Sequence, residues 1–262
     1  MDLKSIYLEE VKNSKTCHIE SSHFCDKPQM YSGLISPQST INIQPIFDVN
    51  FKIDEAGMCE ILDIFQKKYE TYSESDKKNM INVFREVYEA TEEYFGGHGD
   101  ESKRINMYLS NEILKLSDIK GERVGLCAER ASVAHEIFAT LQKAGILKYT
   151  SYFTGTHLSS VDNASEVAPH AVVVLQSEED SNKVFLYDIE NPILYKFPDG
   201  KEGRYIALYR MNEKQFEDFK NGKVIELKSL LEEYDGYQLA EAKRQYGDQK
   251  REIVQESDND GR

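Results

Sequence analysis

The chain of 262 residues has no tryptophan, four cysteines, six prolines, and only 32 basic residues against 46 acidic ones. Each shortage excludes something. Four cysteines, Cys17, Cys25, Cys59 and Cys127, are too sparse for a disulfide scaffold, so each is judged by its surroundings. The basic deficit leaves a formal net charge of −14. Such a surface repels phosphate backbones and anionic headgroups, so no nucleic acid and no membrane is expected as a partner. No apolar run approaches the roughly 20 residues that a membrane-spanning helix needs. The opening Met1-Asp2-Leu3-Lys4-Ser5 lacks the charged-then-apolar-then-small order of a cleaved leader. The expected location is therefore cytoplasmic, or secreted without a classical signal peptide. Apolar residues still make up 40% of the chain, enough to bury a core.

The pattern divides into four stretches. Residues 1–38 are polar and broken by Pro28, Gly33 and Pro37, and read as an irregular, loosely packed leader. Residues 39–104 read as mainly helical. A short alternating strand over 40–44 precedes helices over 51–69 (stripe Met58, Ile61, Leu62, Phe65) and from a Ser73 or Ser75 cap to about Tyr94. Residues 105–235 change character. A helical piece over 106–116 leads to an amphipathic helix from Cys127 to Ala144, which Gly145 ends. Strand-like runs follow at 149–153, 171–175, 184–187 and 205–209, then short helices over 212–220 and 227–234. Residues 236–262 hold a helix end and, from Gly247, a charged tail expected to be disordered. Helices first, then one helix followed by an antiparallel sheet, is the order of an α+β fold.

Three segments carry chemistry. In Gly125-Leu126-Cys127 a cysteine opens a helix behind a glycine turn. A helix N-terminus carries partial positive charge and unpaired N–H groups, which favour a thiolate and can receive an oxyanion. Pro169-His170-Ala171 puts a histidine at the mouth of a valine-rich strand, and Asp188 ends the next strand. On neighbouring antiparallel strands these two can lie side by side, the carboxylate fixing the imidazole tautomer.

This order, helix-opening Cys127, strand His170 and strand Asp188, resembles the transglutaminase-like cysteine enzymes, a branch of the papain-like group. The separations of 43 and 18 residues, the His-Ala dipeptide entering a valine-rich strand, and Asn191-Pro192 after the acid all fit. The likeness spans about residues 105–210, within the 105–235 stretch, which it makes the catalytic core: a nucleophile helix packed on an antiparallel sheet after a helical region. It implies a thiol-dependent acyl-transfer enzyme, a deamidase, transglutaminase or cysteine protease. The implied catalytic residues are Cys127, His170 and Asp188, and the implied partner is a protein or peptide substrate, with no cofactor. A bacterial effector or toxin suits that description. The alternative is a family member without activity that serves as a binding scaffold. One departure is Val172, where many family members place tryptophan after His-Ala. With no indole in the chain, the oxyanion donor that the resemblance implies is expected from the Cys127 backbone N–H, with Tyr108 or Tyr152 as the side-chain alternatives.

Other residues carry a plainer reading beside the functional one. Glu129 and Arg130 are either substrate contacts or a surface ion pair, and His157, in a loop after Gly155, is either solvated or lines the substrate cleft. Cys59 sits on a helix stripe and reads as core. His135-Glu136 lacks the second histidine of a zinc-protease helix, so His135 reads as a helix-face residue. Cys17, His18, His23 and Cys25 offer zinc-type ligands, but adjacent Cys17 and His18 do not match spaced ligand pairs, and no metal is expected. Gly96-Gly97-His98-Gly99 is too short for a phosphate cradle. The sequence leaves the oligomeric state open.

Overall fold

The structure, a computed structural model, describes residues 2–21, 28–43, 49–159, 167–196, 202–227 and 252–253. Its elements are helices and two sheets, an α+β arrangement. The helices are α1 Leu3–Asn13, α2 Glu55–Tyr69, α3 Glu74–Lys77, α4 Met80–Phe95, α5 Glu101–Leu109, α6 Cys127–Lys143 and α7 Glu213–Lys220. A mixed four-stranded sheet is ordered β1 (His18–Ser21), β3 (Thr40–Ile43), β4 (Val49–Lys52), β5 (Ile113–Lys115). The larger sheet is antiparallel throughout. It runs β10 (Glu252–Ile253), β8 (Val184–Lys196), β7 (Val167–Ser177), β6 (Tyr149–Ser159), β2 (Met30–Tyr31), with β9 (Glu202–Met211) also on β8.

α6 is the centre of the core. Alanines at 128, 131, 134 and 139 give it helix propensity and a slim profile, and every residue from Ala128 to Leu141 is buried. A helix covered on all sides must satisfy its own polar groups. Ser132 and Thr140 donate to the Glu129 and Glu136 carbonyls at 2.9 and 2.8 Å. Gly145 adopts φ +70°, the left-handed turn that ends a helix and that residues with a Cβ resist. Sheet residues Ala171, Val173, Leu175, Phe185 and Tyr187 share the main core cluster with α6. Val172, Val174, Val184 and Leu186 pack on Phe216 and Phe219 of α7 in a second cluster. This is the alternation that an antiparallel sheet covered on both faces requires.

Several expected elements shift. The leader is not loosely packed: α1 buries Leu3, Tyr7 and Val11, four residues apart on one face, in the same cluster as α6. Residues 33–36 thread against α6, where Ile35 N–H donates to Glu136 Oε1 at 2.7 Å and Gly33 O lies 2.9 Å from His135 Nε2. His135 is thus fully buried, not a residue of an open helix face; burial pushes its imidazole down to about 4 and the Glu136 carboxyl well up, so both are neutral. Phe51 belongs to β4, and the helix expected from it begins only after Asp54. The Ser73 cap serves the single turn α3, while Asn79 caps α4. The piece expected over 106–116 divides into α5, capped by the Asp100 carboxylate, and the strand β5. Cys59 is half-buried beside Lys4 rather than in the core. The strands at 149, 171, 184 and 205 are all present and longer than expected. The helix expected over 227–234 and the tail fall outside the described residues, apart from Leu227 and the short strand β10.

Among the described residues no helix is long and apolar enough to cross a membrane.

Candidate active site

The turn before Cys127 is built by glycines. Residues 121–125 run back along the end of α4: Gly121 N–H donates to Tyr94 O and Arg123 N–H to Phe95 O, both at 2.8 Å. Asp100 N–H in turn donates to Arg123 O. A Cβ on Gly125 would sit 2.4 Å from the Phe95 ring, and one on Gly99 2.6 Å from the Gly125 carbonyl oxygen. Gly99 and Gly125 therefore let the turn before Cys127 close, with Gly96 packed as tightly on Gly121. Gly125→Ala is expected to cost about 1–3 kcal/mol as overpacking, read as a lowered melting temperature. Adding Phe95→Leu, which removes the opposing ring, should recover part of it; no recovery would show that the clash is not the cause.

From this turn Cys127 enters the first position of α6, half-buried. His170 and Asp188 meet as their strands imply. His170 Nε2 lies 2.8 Å from Asp188 Oδ1, and both side chains are over nine-tenths buried. Cys127 lies close enough to His170 to act on the charge of its ring. The three side chains, 43 and 18 residues apart, are thus brought together, His170 in contact with Asp188 and close to Cys127. Burial disfavours the His170 cation, but the Asp188 carboxylate, with a smaller contribution from Cys127, overrides it and raises the imidazole to about 10. Burial likewise opposes the Asp188 anion, and His170 and Asn191 overcome that and hold it below its ordinary range.

Asp188 is aimed by its own turn. Its Oδ1 accepts the N–H groups of Glu190 and Asn191 at 3.1 and 3.2 Å, an Asx turn at the irregularity in β8 between Asp188 and Ile193. Asn191 Nδ2 donates to Asp188 Oδ2 at 3.1 Å and lies 3.3 Å from His170 Nε2, whose proton faces Asp188. Asn191 was noted only as a family mark; an aspartate followed three residues on by asparagine was the available sign of this turn.

The remaining sequence candidates are placed differently from expectation. Glu129 and Arg130 are both fully buried and form no surface ion pair. Glu129 Oε1 accepts from Arg104 Nε and from Tyr108 OH, each at 2.7 Å, and its Oε2 accepts the Leu126 N–H at 3.2 Å. Arg130 turns the other way. It donates from Nε to Gly125 O at 2.8 Å and bonds Glu92 and the Gly97 carbonyl through its other nitrogens. The Tyr108 hydroxyl is thus committed to Glu129 and is not available as an oxyanion donor. Tyr152 lies opposite Val174, four residues along β7 from His170 and so about 13 Å away. Its hydroxyl reaches Gln176, further still from the site. His157 is not in a loop: it lies within β6, exposed, opposite Pro169, and strand alternation turns it to the other face of the sheet from His170.

Of the possible zinc ligands, Cys17 Sγ lies 3.4 Å from Ser39 Oγ and 3.5 Å from Tyr31 OH, while His23 and Cys25 lie outside the described residues. Among the described residues no three histidine, cysteine or acidic side chains converge on a metal position. A half-buried sulfur, an imidazole held cationic by a buried carboxylate, and a helix N-terminus together form a constellation able to attack a carbonyl and protonate its leaving group. The chain matches no protein-family model, no curated protein and no solved structure.

Proposed function

We propose that the chain is a thiol-dependent acyl-transfer enzyme of the transglutaminase-like, papain-like kind, acting on a glutamine carboxamide or a peptide bond of a protein. The observation that supports this reading is the buried Asp188–His170 pair standing close to Cys127 at the opening of a helix. Cys127 Sγ, as thiolate, adds to the carbonyl carbon. The oxygen that becomes negative is received by the Cys127 backbone N–H, since the Leu126 N–H is spent on Glu129. As the C–N bond breaks, His170 gives its proton to the departing amine and becomes neutral. Water or an amine then adds to the thioester and passes a proton to His170, and the sulfur leaves as thiolate. Asp188 stays ionised throughout, orienting the ring and stabilising its cation.

Incubation with protein targets, read by intact mass, tests the reading. Deamidation appears as a gain of about one mass unit, transamidation as an amine adduct, and proteolysis as fragments. Each should vanish in Cys127→Ala. Mass changes that persist undiminished in that variant would sink the proposal.

A further inference from the structure

Two arginines reach the first turn of α6 and are used differently. Arg130 is fully buried, and its nitrogens are spent on Gly125 O, Glu92 and Gly97 O. Arg104, from α5, spends Nε on Glu129 Oε1 at 2.7 Å, and its guanidinium carbon stands 5.3 Å from the centroid of the Tyr108 ring. Tyr108 OH bonds the same Glu129 oxygen, so one edge of the guanidinium is pinned and its plane is braced. Among the described residues no second carboxylate and no carbonyl meets its outer Nη edge. The side chain keeps 12% of its surface exposed. It stands near enough to Cys127 for charge on the sulfur to act on it, and Glu129, which it bonds at Oε1, accepts at Oε2 the N–H of Leu126, the residue before Cys127.

A guanidinium presents paired N–H donors whose spacing matches a carboxylate, and the outer edge of Arg104 is open to solvent rather than sealed in the core, free to meet an incoming partner. We propose that Arg104 is a substrate-binding residue that receives a carboxylate beside the reacting carbonyl, so that the preferred acyl donor is an acidic peptide segment. This rests on the acyl-transfer reading and narrows its substrate. The net charge of −14 opposes an acidic partner at long range. That opposition is screened beyond about 10 Å at ordinary ionic strength, whereas a bidentate contact acts inside that distance.

The test uses the reactive sulfur itself. Iodoacetate carries a carboxylate and iodoacetamide does not; the site and rate of alkylation are read by peptide mapping of the full chain. In the wild type, Cys127 should favour iodoacetate over iodoacetamide by about tenfold more than it does in Arg104→Gln. Arg104→Lys, which keeps the charge without the fork, should fall between them and serves if the Gln variant does not fold. An unchanged reagent ratio in both variants, with Cys127 still outpacing Cys59, overturns the role of Arg104 and leaves the acyl-transfer reading standing. Cys127 reacting no faster than Cys59 with either reagent overturns both. The source of the carboxylate is separated by protection. An acetylated, amidated tripeptide with a central aspartate should shield Cys127; shielding only by a neutral tripeptide with a free C-terminus, or by neither, overturns the acidic-segment assignment.

Discussion

Replacing Asp188 with asparagine is expected to lower turnover by about a thousand- to ten-thousand-fold, with the fold retained. The substitution keeps the size of the side chain and its hydrogen bonding to the turn at Glu190 and Asn191, but removes the charge that overrides burial at His170. Without it the desolvated ring returns to the neutral state and has no proton to give the leaving amine. The pH dependence separates this from simple damage. His170 is raised in the fold to about 10, so its contribution to stability is complete below its ordinary value near 6.5 and is lost as pH rises through about 10. Asp188 is lowered, so its contribution is complete above the ordinary carboxylate value near 4 and is lost as pH falls. The pair therefore stabilises most between about pH 4 and 6.5. Asp188→Asn should depress the melting temperature most in that window and least above pH 10. A melting difference independent of pH would mean that the two groups are not coupled in the folded chain.

The segments of the candidate site were legible because their signals are local. A glycine turn before Cys127, an alanine-rich stripe, Gly145 at the helix end, and a histidine leading a valine-rich strand each fall within a few residues, and the structure realises them in α6 and β7, except that β7 begins three residues before His170, at Val167. The β7–β8 pairing, which ends at Val173 and Tyr187, sets the two strands side by side, and His170 meets Asp188 just beyond it. What was not legible depends on distant partners. Glu129 and Arg130 look like an exposed pair because charged neighbours on a helix usually are, and nothing within the helix indicates that Arg104, Glu92 and Gly97 close over them. The leader misled for a related reason. Leu3, Tyr7 and Val11 form a narrow stripe diluted by Lys4, Ser5, Glu9 and Glu10, and become core only because α2 and α6 offer a surface to receive them. The Asp100 cap and the boundary of α5 were readable from an acidic residue three positions before Lys103, but the glycines just before it masked the start. Tyr152 shows the limit of composition-based guesses: a hydroxyl of the right type on the right strand lies at the wrong end of it.

Arg130→Met should be the most destabilising of the substitutions considered, by about 3–5 kcal/mol, because it removes one partner of a buried charged network and leaves the others unpaired. The Gly125 and Gly97 carbonyls and Glu92 would all lose their donor, and the cation 5.3 Å from the centroid of the Phe95 ring would be gone. These contacts tie the nucleophile turn to the end of α4, so the variant should also misplace Cys127; a displacement of about 1 Å at a reacting atom costs on the order of a hundredfold in rate. Glu190 provides the contrasting case. Its Oε2 lies 3.0 Å from Arg130 Nε, but that N–H is spent on the Gly125 carbonyl, so burial prevails over the nearby cation and pushes the carboxyl up to about 8. An acid raised in the fold loses stability as pH climbs from its ordinary value near 4.3 to about 8, because only the unfolded chain ionises over that range. Glu190→Gln removes this liability while keeping the shape. It should be as stable as the wild type at acid pH and more stable near pH 8, measured by denaturant melts across pH. A wild-type chain that gains stability over that interval relative to the Gln variant would mean that Glu190 is ionised and paired with Arg130, and the network would then hold the turn by charge rather than by the hydrogen bonds to Gly125 and Gly97.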